Sequence, residues 1–133
     1  MSTETETYRD GIINLLQTIH EGTPVIEKAA EAMAKAIMDD KLIHVIGPGG
    51  HSNMGAEELL WRAGGLAPIN AILDPGTNLI HGAKRSNVIE RTPGYAKQVL
   101  DAYRVGKEPG EVIIIVNAYG VNAMSIDTVL EAK

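Results

Sequence analysis

The sequence predicts an α/β protein, a three-layer α-β-α arrangement around a parallel sheet. Three short β-branched runs, LIHVIG (42–47), APINAIL (67–73) and EVIIIVN (111–117), alternate with stretches of helical periodicity. The first and third lead into polar turns containing glycine. Strands separated by helices pair in parallel through right-handed crossovers, with the helices covering the sheet.

The first seven residues are rich in Thr and Glu and read as frayed. From Tyr8 a helix is expected, with Ile12, Leu15, Leu16 and Ile19 making one apolar stripe. Gly22 reads as its stop, and Thr23-Pro24 as the cap and first residue of a second helix. On that helix Ile26, Ala29, Ala30, Met33 and Ile37 line one face. Pro48, Gly49 and Gly50 end the first strand, and Ser52-Asn53 caps a helix reaching about Arg62, before Gly64-Gly65. After the second strand, DPGTN (74–78) is a turn, and 79–93 reads either as a short helix or as an active-site loop. Pro93 opens a helix over 94–105, with Tyr95, Val99, Leu100 and Tyr103 as its apolar positions. The third strand leads through 118–122 into a last helix from Ala123, still running at Lys133. The order ααβαβαβα is read as one domain over 1–133. Helices occupy about 8–40 and the sheet portion 42–133. Three strands are few for this architecture, so the chain is expected to be part of a longer domain.

Composition narrows the chemistry. The 133 residues carry 12 Lys plus Arg against 17 Asp plus Glu, a net charge of −5, so nothing global favours nucleic acid or an anionic membrane. Cysteine is absent, which excludes disulfides, thiolate metal sites and cysteine nucleophiles. The polar, acidic N-terminus does not fit a targeting peptide, and the uncharged stretch near the C-terminus, Val112 to Ile126, is too short and polar to span a bilayer. A cytoplasmic protein is expected. Phenylalanine is also absent, so the core must be built from Ile, Leu, Val, Ala and Met.

Two loops could carry function. In GPGGHSNMGAEELL (47–60) a strand feeds a glycine-rich turn and then a helix. Unpaired amides at such a joint, with Gly49 and Gly50 allowing close approach and Ser52 and Asn53 as donors, suit an anion such as a phosphate. A plain joint capped by Ser52 is the alternative. No Lys-Ser/Thr pair follows, so this is not a Walker loop, and the glycines at 47, 49 and 50 miss the dinucleotide spacing. In VNAYGVNAMS (116–125), Asn117, Tyr119, Gly120 and Asn122 stand at the corresponding end of another strand, where open α/β sheets bind ligands. Asn122 is equally well read as a helix cap. Glu57 and Glu58 follow the first loop about 100° apart on a helix, so one of them can face the site as a general base. His51 and His81 are candidates for proton transfer, whereas His44 lies mid-strand and reads as packed. Lys84, Arg85 and Arg91 add local positive charge, and Trp61 reads as a packing residue. No histidine spacing suits a metal, and no cofactor is expected.

These segments together resemble the SIS (sugar isomerase) domain family, most closely a bacterial branch of SIS-domain proteins. The resemblance rests on Gly50-His51-Ser52, on Ala56 to Leu59, on Arg62 to Leu66, and on the GAKRS…ER…GYA segment from Gly82 to Ala96. It covers most of residues 10–133. It implies a five-stranded Rossmann-like sheet and a phosphorylated sugar as ligand. It also implies aldose–ketose isomerisation with a carboxylate base, or a sensor role without catalysis, in a homodimer or homotetramer. By similarity to phosphoheptose isomerases, Gly47 to Ser52 matches the first ligand loop and Glu58 the catalytic glutamate, although the spacing is shorter here. The serine-rich phosphate loop usual after the third strand is replaced by Asn117, Tyr119, Gly120 and Asn122.

Overall fold

The computed structural model describes residues 3–133 and divides the chain into two compact units, one up to Lys35 and one from Ala36 to Lys133.

The first unit holds α1 (Glu4–Glu21) and most of α2 (Thr23–Met38). Helix α1 begins earlier than the sequence suggests. Thr3 accepts from the Glu6 amide while the Glu6 carboxylate accepts from the Thr3 amide, a capping box that removes the expected fraying over 3–7. Residues 1 and 2 lie outside the described residues. Gly22 interrupts the two helices for a single residue and stays in the right-handed helical region. The stripe Ile12, Leu15, Leu16 and Ile19 is exposed, at 41%, 60%, 61% and 58%.

In the second unit, Asp40 adopts a left-handed conformation (φ 55°) and the Lys41 amide reaches back to the Ala36 carbonyl, which closes α2 and turns the chain into the sheet. Strands β1 (Ile43–Ile46), β2 (Ile69–Ile72) and β3 (Val112–Ile115) form a parallel sheet in the order β2-β1-β3. Ile43 pairs with Ile69 on one side and Val112 on the other, so all three carboxyl ends share one edge. This is the predicted α/β fold class.

One face carries the main core. Ile46, Ile72, Ile113 and Ile115 pack with Ala96, Val99 and Leu100 of α5 (Tyr95–Ala102) and Met124 of α6 (Ala123–Glu131). Helix α3 (Asn53–Leu59) lies against β1 and β2, and Gly55 brings its backbone so close that a Cβ there would stand 2.6 Å from Val116 Cγ1. His44 is buried, as expected of a mid-strand histidine. Asn70, its partner in register, points its side-chain amide at both His44 Nδ1 (2.9 Å) and the Tyr103 carbonyl (3.2 Å). That amide can only donate to both, so Nδ1 is the acceptor and the proton is assigned to Nε2, which lies 3.3 Å from the Glu111 carboxylate without hydrogen-bond geometry to it.

Several local expectations are corrected. Helix α3 stops at Leu59 rather than near Arg62, because Leu60 turns extended and Trp61 is left-handed (φ 54°). Trp61 therefore leaves the helical stripe and is 96% exposed, not packed. The 79–93 segment resolves into a 3-10 turn (Leu79–His81) and α4 (Ala83–Ile89). Helix α6 ends at Glu131, two residues before the end of the chain.

Candidate functional site at the carboxyl edge of the sheet

The loops leaving β1 and β3 meet at the shared carboxyl edge and enclose a pocket of about 560 Å³. Its walls are Gly49 to Ser52 on one side, Asn117 to Tyr119, Val121 and Asn122 on the other, and Glu90 and Arg91 from the end of α4. Of the residues expected to bind ligand, Gly49, Gly50, His51, Ser52, Asn117, Tyr119 and Asn122 line it. Gly120 is absent from the lining. Asn53 is buried, its side-chain amide donating to the Gly49 carbonyl (3.1 Å).

The glycine loop is held close by its own backbone. The Gly49 amide donates to Gly47 (2.8 Å), and Asn53 donates to Gly49 (3.2 Å). None of Gly47, Gly49 and Gly50 has a positive φ, so glycine is required here for space rather than for backbone conformation. Ser52 occupies the position before α3 but makes no side-chain cap. It is already right-handed (φ −69°, ψ −20°), whereas a capping side chain needs an extended backbone. Its hydroxyl instead accepts a long contact from Asn117 Nδ2 (3.5 Å). Among the described residues, the amides of His51 and Ser52 and the Ser52 hydroxyl hydrogen meet no acceptor.

The second loop is closed on itself. Asn117 Oδ1 accepts from the amides of Tyr119 (2.9 Å) and Gly120 (2.5 Å), and Asn117 Nδ2 donates to Ser125 Oγ (2.7 Å). These two amides are therefore not open donors, contrary to a phosphate-loop reading of this segment. Asn122 caps α6 by accepting from the Ser125 amide (2.9 Å) and hydroxyl (2.7 Å). Its Nδ2 faces Gly49, 3.3 Å from where a Cβ would stand.

The candidate catalytic residues are not gathered in one place. His51 is exposed and lines the pocket. His81 sits in the exposed 3-10 turn, outside the pocket lining. Glu58 is 71% exposed in its side chain and pairs with Arg62 (3.2 Å), while Glu57 accepts from Asn78 Nδ2 (3.4 Å). Neither lines the pocket. The carboxylate that does is Glu90, inside the ER pair of the motif that carried the resemblance. Its Oε2 accepts from the Gly50 amide (3.3 Å) and its Oε1 pairs with Arg91 (2.6 Å). Sequence reading gave it no role because it stands 40 residues from the loop it contacts, in the segment of ambiguous structure.

Nearby, Asp74 at the end of β2 anchors the turn that leads to α4. It accepts from the Thr77 amide (2.9 Å) and from the Tyr95 hydroxyl (3.0 Å). Burial, with the hydrogen bond and charge of Asp74, pushes the Tyr95 phenol above its ordinary value, opposed only by Arg85. Ser86 Oγ donates to the Thr77 carbonyl (2.6 Å), which ties α4 to this turn. Among the described residues, no three or more His, Asp or Glu side chains stand close enough to hold a metal ion, and no helix is long and apolar enough to cross a membrane.

The sequence profile of the SIS domain matches residues 7–133, nearly the whole chain. The chain belongs to the SIS domain family. Its relatives include UPF0309 proteins of Caldanaerobacter subterraneus subsp. tengcongensis (41% identical) and Thermoanaerobacter pseudethanolicus (42%), each matching 81% of this chain and 43% of the relative. A UPF0309 protein of Brucella ovis is 37% identical over the full chain and 54% of its own length. The chain thus spans about half the length of the curated relatives it matches.

Proposed function

We propose that this SIS domain binds a phosphorylated sugar in the pocket at the carboxyl edge of the sheet and serves aldose–ketose isomerisation. The observation that carries this reading is the pair of unpaired amides at His51 and Ser52, beside a Ser52 hydroxyl with no acceptor. Backbone donors at the rim of a pocket bind a phosphate without needing a cationic side chain, and Arg91 on the same wall is paired with Glu90. Membership of a family named for sugar isomerases supports the ligand class. In the proposed reaction a carboxylate takes the proton from the carbon next to the sugar carbonyl, and an enediol forms. The proton returns to the neighbouring carbon. His51 carries protons between the two oxygens. A thermal-shift screen with glucose 6-phosphate, fructose 6-phosphate and ribose 5-phosphate, followed by an isomerase assay on each stabilising sugar, tests the proposal. Stabilisation by none of them refutes it.

A second reading, a sugar-phosphate sensor without catalysis, draws support from the closed second loop, where Asn117 holds the Tyr119 and Gly120 amides that would otherwise grip the ligand. Binding without turnover in the same screen selects it. We further propose a cytoplasmic homodimer or homotetramer, because a helix with four exposed aliphatic residues in one stripe gains by covering them against a copy of itself. Sedimentation of a micromolar solution as a monomer would count against this.

A further inference from the structure

We infer that Glu90 is the catalytic carboxylate of this site, the group that takes the carbon-bound proton of the sugar. The inference rests on the reading of the pocket as a phosphorylated-sugar site. Three observations lead to it. Glu90 is the carboxylate in the pocket wall, whereas Glu57 and Glu58 stand outside it. Its backbone is clamped at both ends, the amide donating to the Ser86 carbonyl (2.9 Å) and the carbonyl accepting from the Met124 amide (3.0 Å). The residue is thereby fixed to the end of α4 and to the start of α6, the helix that follows the second loop. Finally, Gly49 leaves the carboxylate uncovered, since a Cβ there would stand 2.9 Å from Glu90 Oε2. The absence of a side chain at 49 is what opens this oxygen to the pocket.

The side chain is held but not consumed. Arg91 orients Oε1 at 2.6 Å, and Oε2 has one long hydrogen bond, 3.3 Å from the Gly50 amide. An oxygen so placed keeps a lone pair for a substrate proton. A sugar whose phosphate is held by the His51 and Ser52 amides has its carbon chain in the same pocket, whose wall includes Glu90 and Asn122. Glu90 takes the proton from the carbon beside the carbonyl, the C–H pair becomes the enediol double bond, and the carbonyl oxygen gains a proton. The neighbouring hydroxyl then loses its proton as the double bond collapses to the new carbonyl, and Glu90 returns its proton to the former carbonyl carbon. No oxidant or other reactant is needed.

The test is deuterium incorporation at carbon from deuterated water, with the full chain, on glucose 6-phosphate, fructose 6-phosphate and ribose 5-phosphate, alongside calorimetric binding of each. Glu90→Gln is expected to slow incorporation about 10²–10⁴-fold while the dissociation constant changes less than about threefold. Glu90→Asp, which keeps the charge on a shorter arm, is expected to retain measurable exchange and to confirm by its melting curve that the site still folds. Undiminished incorporation in Glu90→Gln overturns this assignment alone. Binding without incorporation in the unsubstituted chain overturns it and leaves the binding site standing, and binding of none of the three sugars overturns both.

Discussion

Two glycines two residues apart separate folding from function, and substituting each with alanine tests how the loop is built. A Cβ on Gly47 would fall on the Ser52 carbonyl and 2.5 Å from Asn53 N, both of them backbone. The Ser52 carbonyl is further fixed by the Gly55 amide (3.0 Å). Nothing flexible can yield, so Gly47→Ala must move the chain between β1 and α3, at a cost of about 3 kcal/mol or more. In a domain near 100 residues that lowers the melting temperature by roughly 12–24 °C. At Gly49 the nearest atoms are Glu90 Oε2 (2.9 Å) and Asn122 Nδ2 (3.3 Å), the far ends of two side chains. Their displacement costs about 1 kcal/mol, and the entropy that alanine removes from the unfolded chain offsets 0.4–1 kcal/mol of this. Gly49→Ala is therefore expected to melt close to the parent while weakening sugar-phosphate binding or turnover. Thermal unfolding followed by circular dichroism measures both variants. A Gly47→Ala protein within a few degrees of the parent, or a Gly49→Ala protein as destabilised as Gly47→Ala, refutes the account of the loop.

Other outcomes follow from the same geometry. Tyr95→Phe removes the hydroxyl donated to Asp74 and is expected to cost about 1–2 kcal/mol in chemical denaturation at neutral pH. Folding raises the Tyr95 phenol above 10.0, so its contribution is complete below that value and is lost as pH rises through the higher folded value; the phenylalanine variant should lack this alkaline loss. Glu58→Gln breaks an exposed pair with Arg62 and should leave the unfolding free energy measured in urea within about 0.5 kcal/mol of the parent. Trp61, the sole tryptophan, should be quenched freely by acrylamide, and Trp61→Ala should change stability by less than about 0.5 kcal/mol.

What was legible in the sequence is what local chemistry specifies. The β-branched runs, the helical spacing, and the Gly and Pro punctuation placed three strands and most helices within a few residues. Because parallel strands share one carboxyl edge, the pattern also brought the loops at 47–52 and 117–122 to the same end. Tertiary structure decided the rest, because it depends on groups far apart in the chain. Whether Asn117 offers its loop amides or occupies them depends on a turn that composition does not encode. Trp61 is exposed because α3 ends one turn earlier than its periodicity implies. Glu90 enters the pocket only because Ser86 and Met124 fix its backbone and Gly49 has no side chain to exclude it. A carboxylate adjacent in sequence to the loop is the natural first guess for the base, yet a helix turns such residues to its outer face as readily as to its inner one. Packing across 40 residues supplies the carboxylate that reaches the pocket.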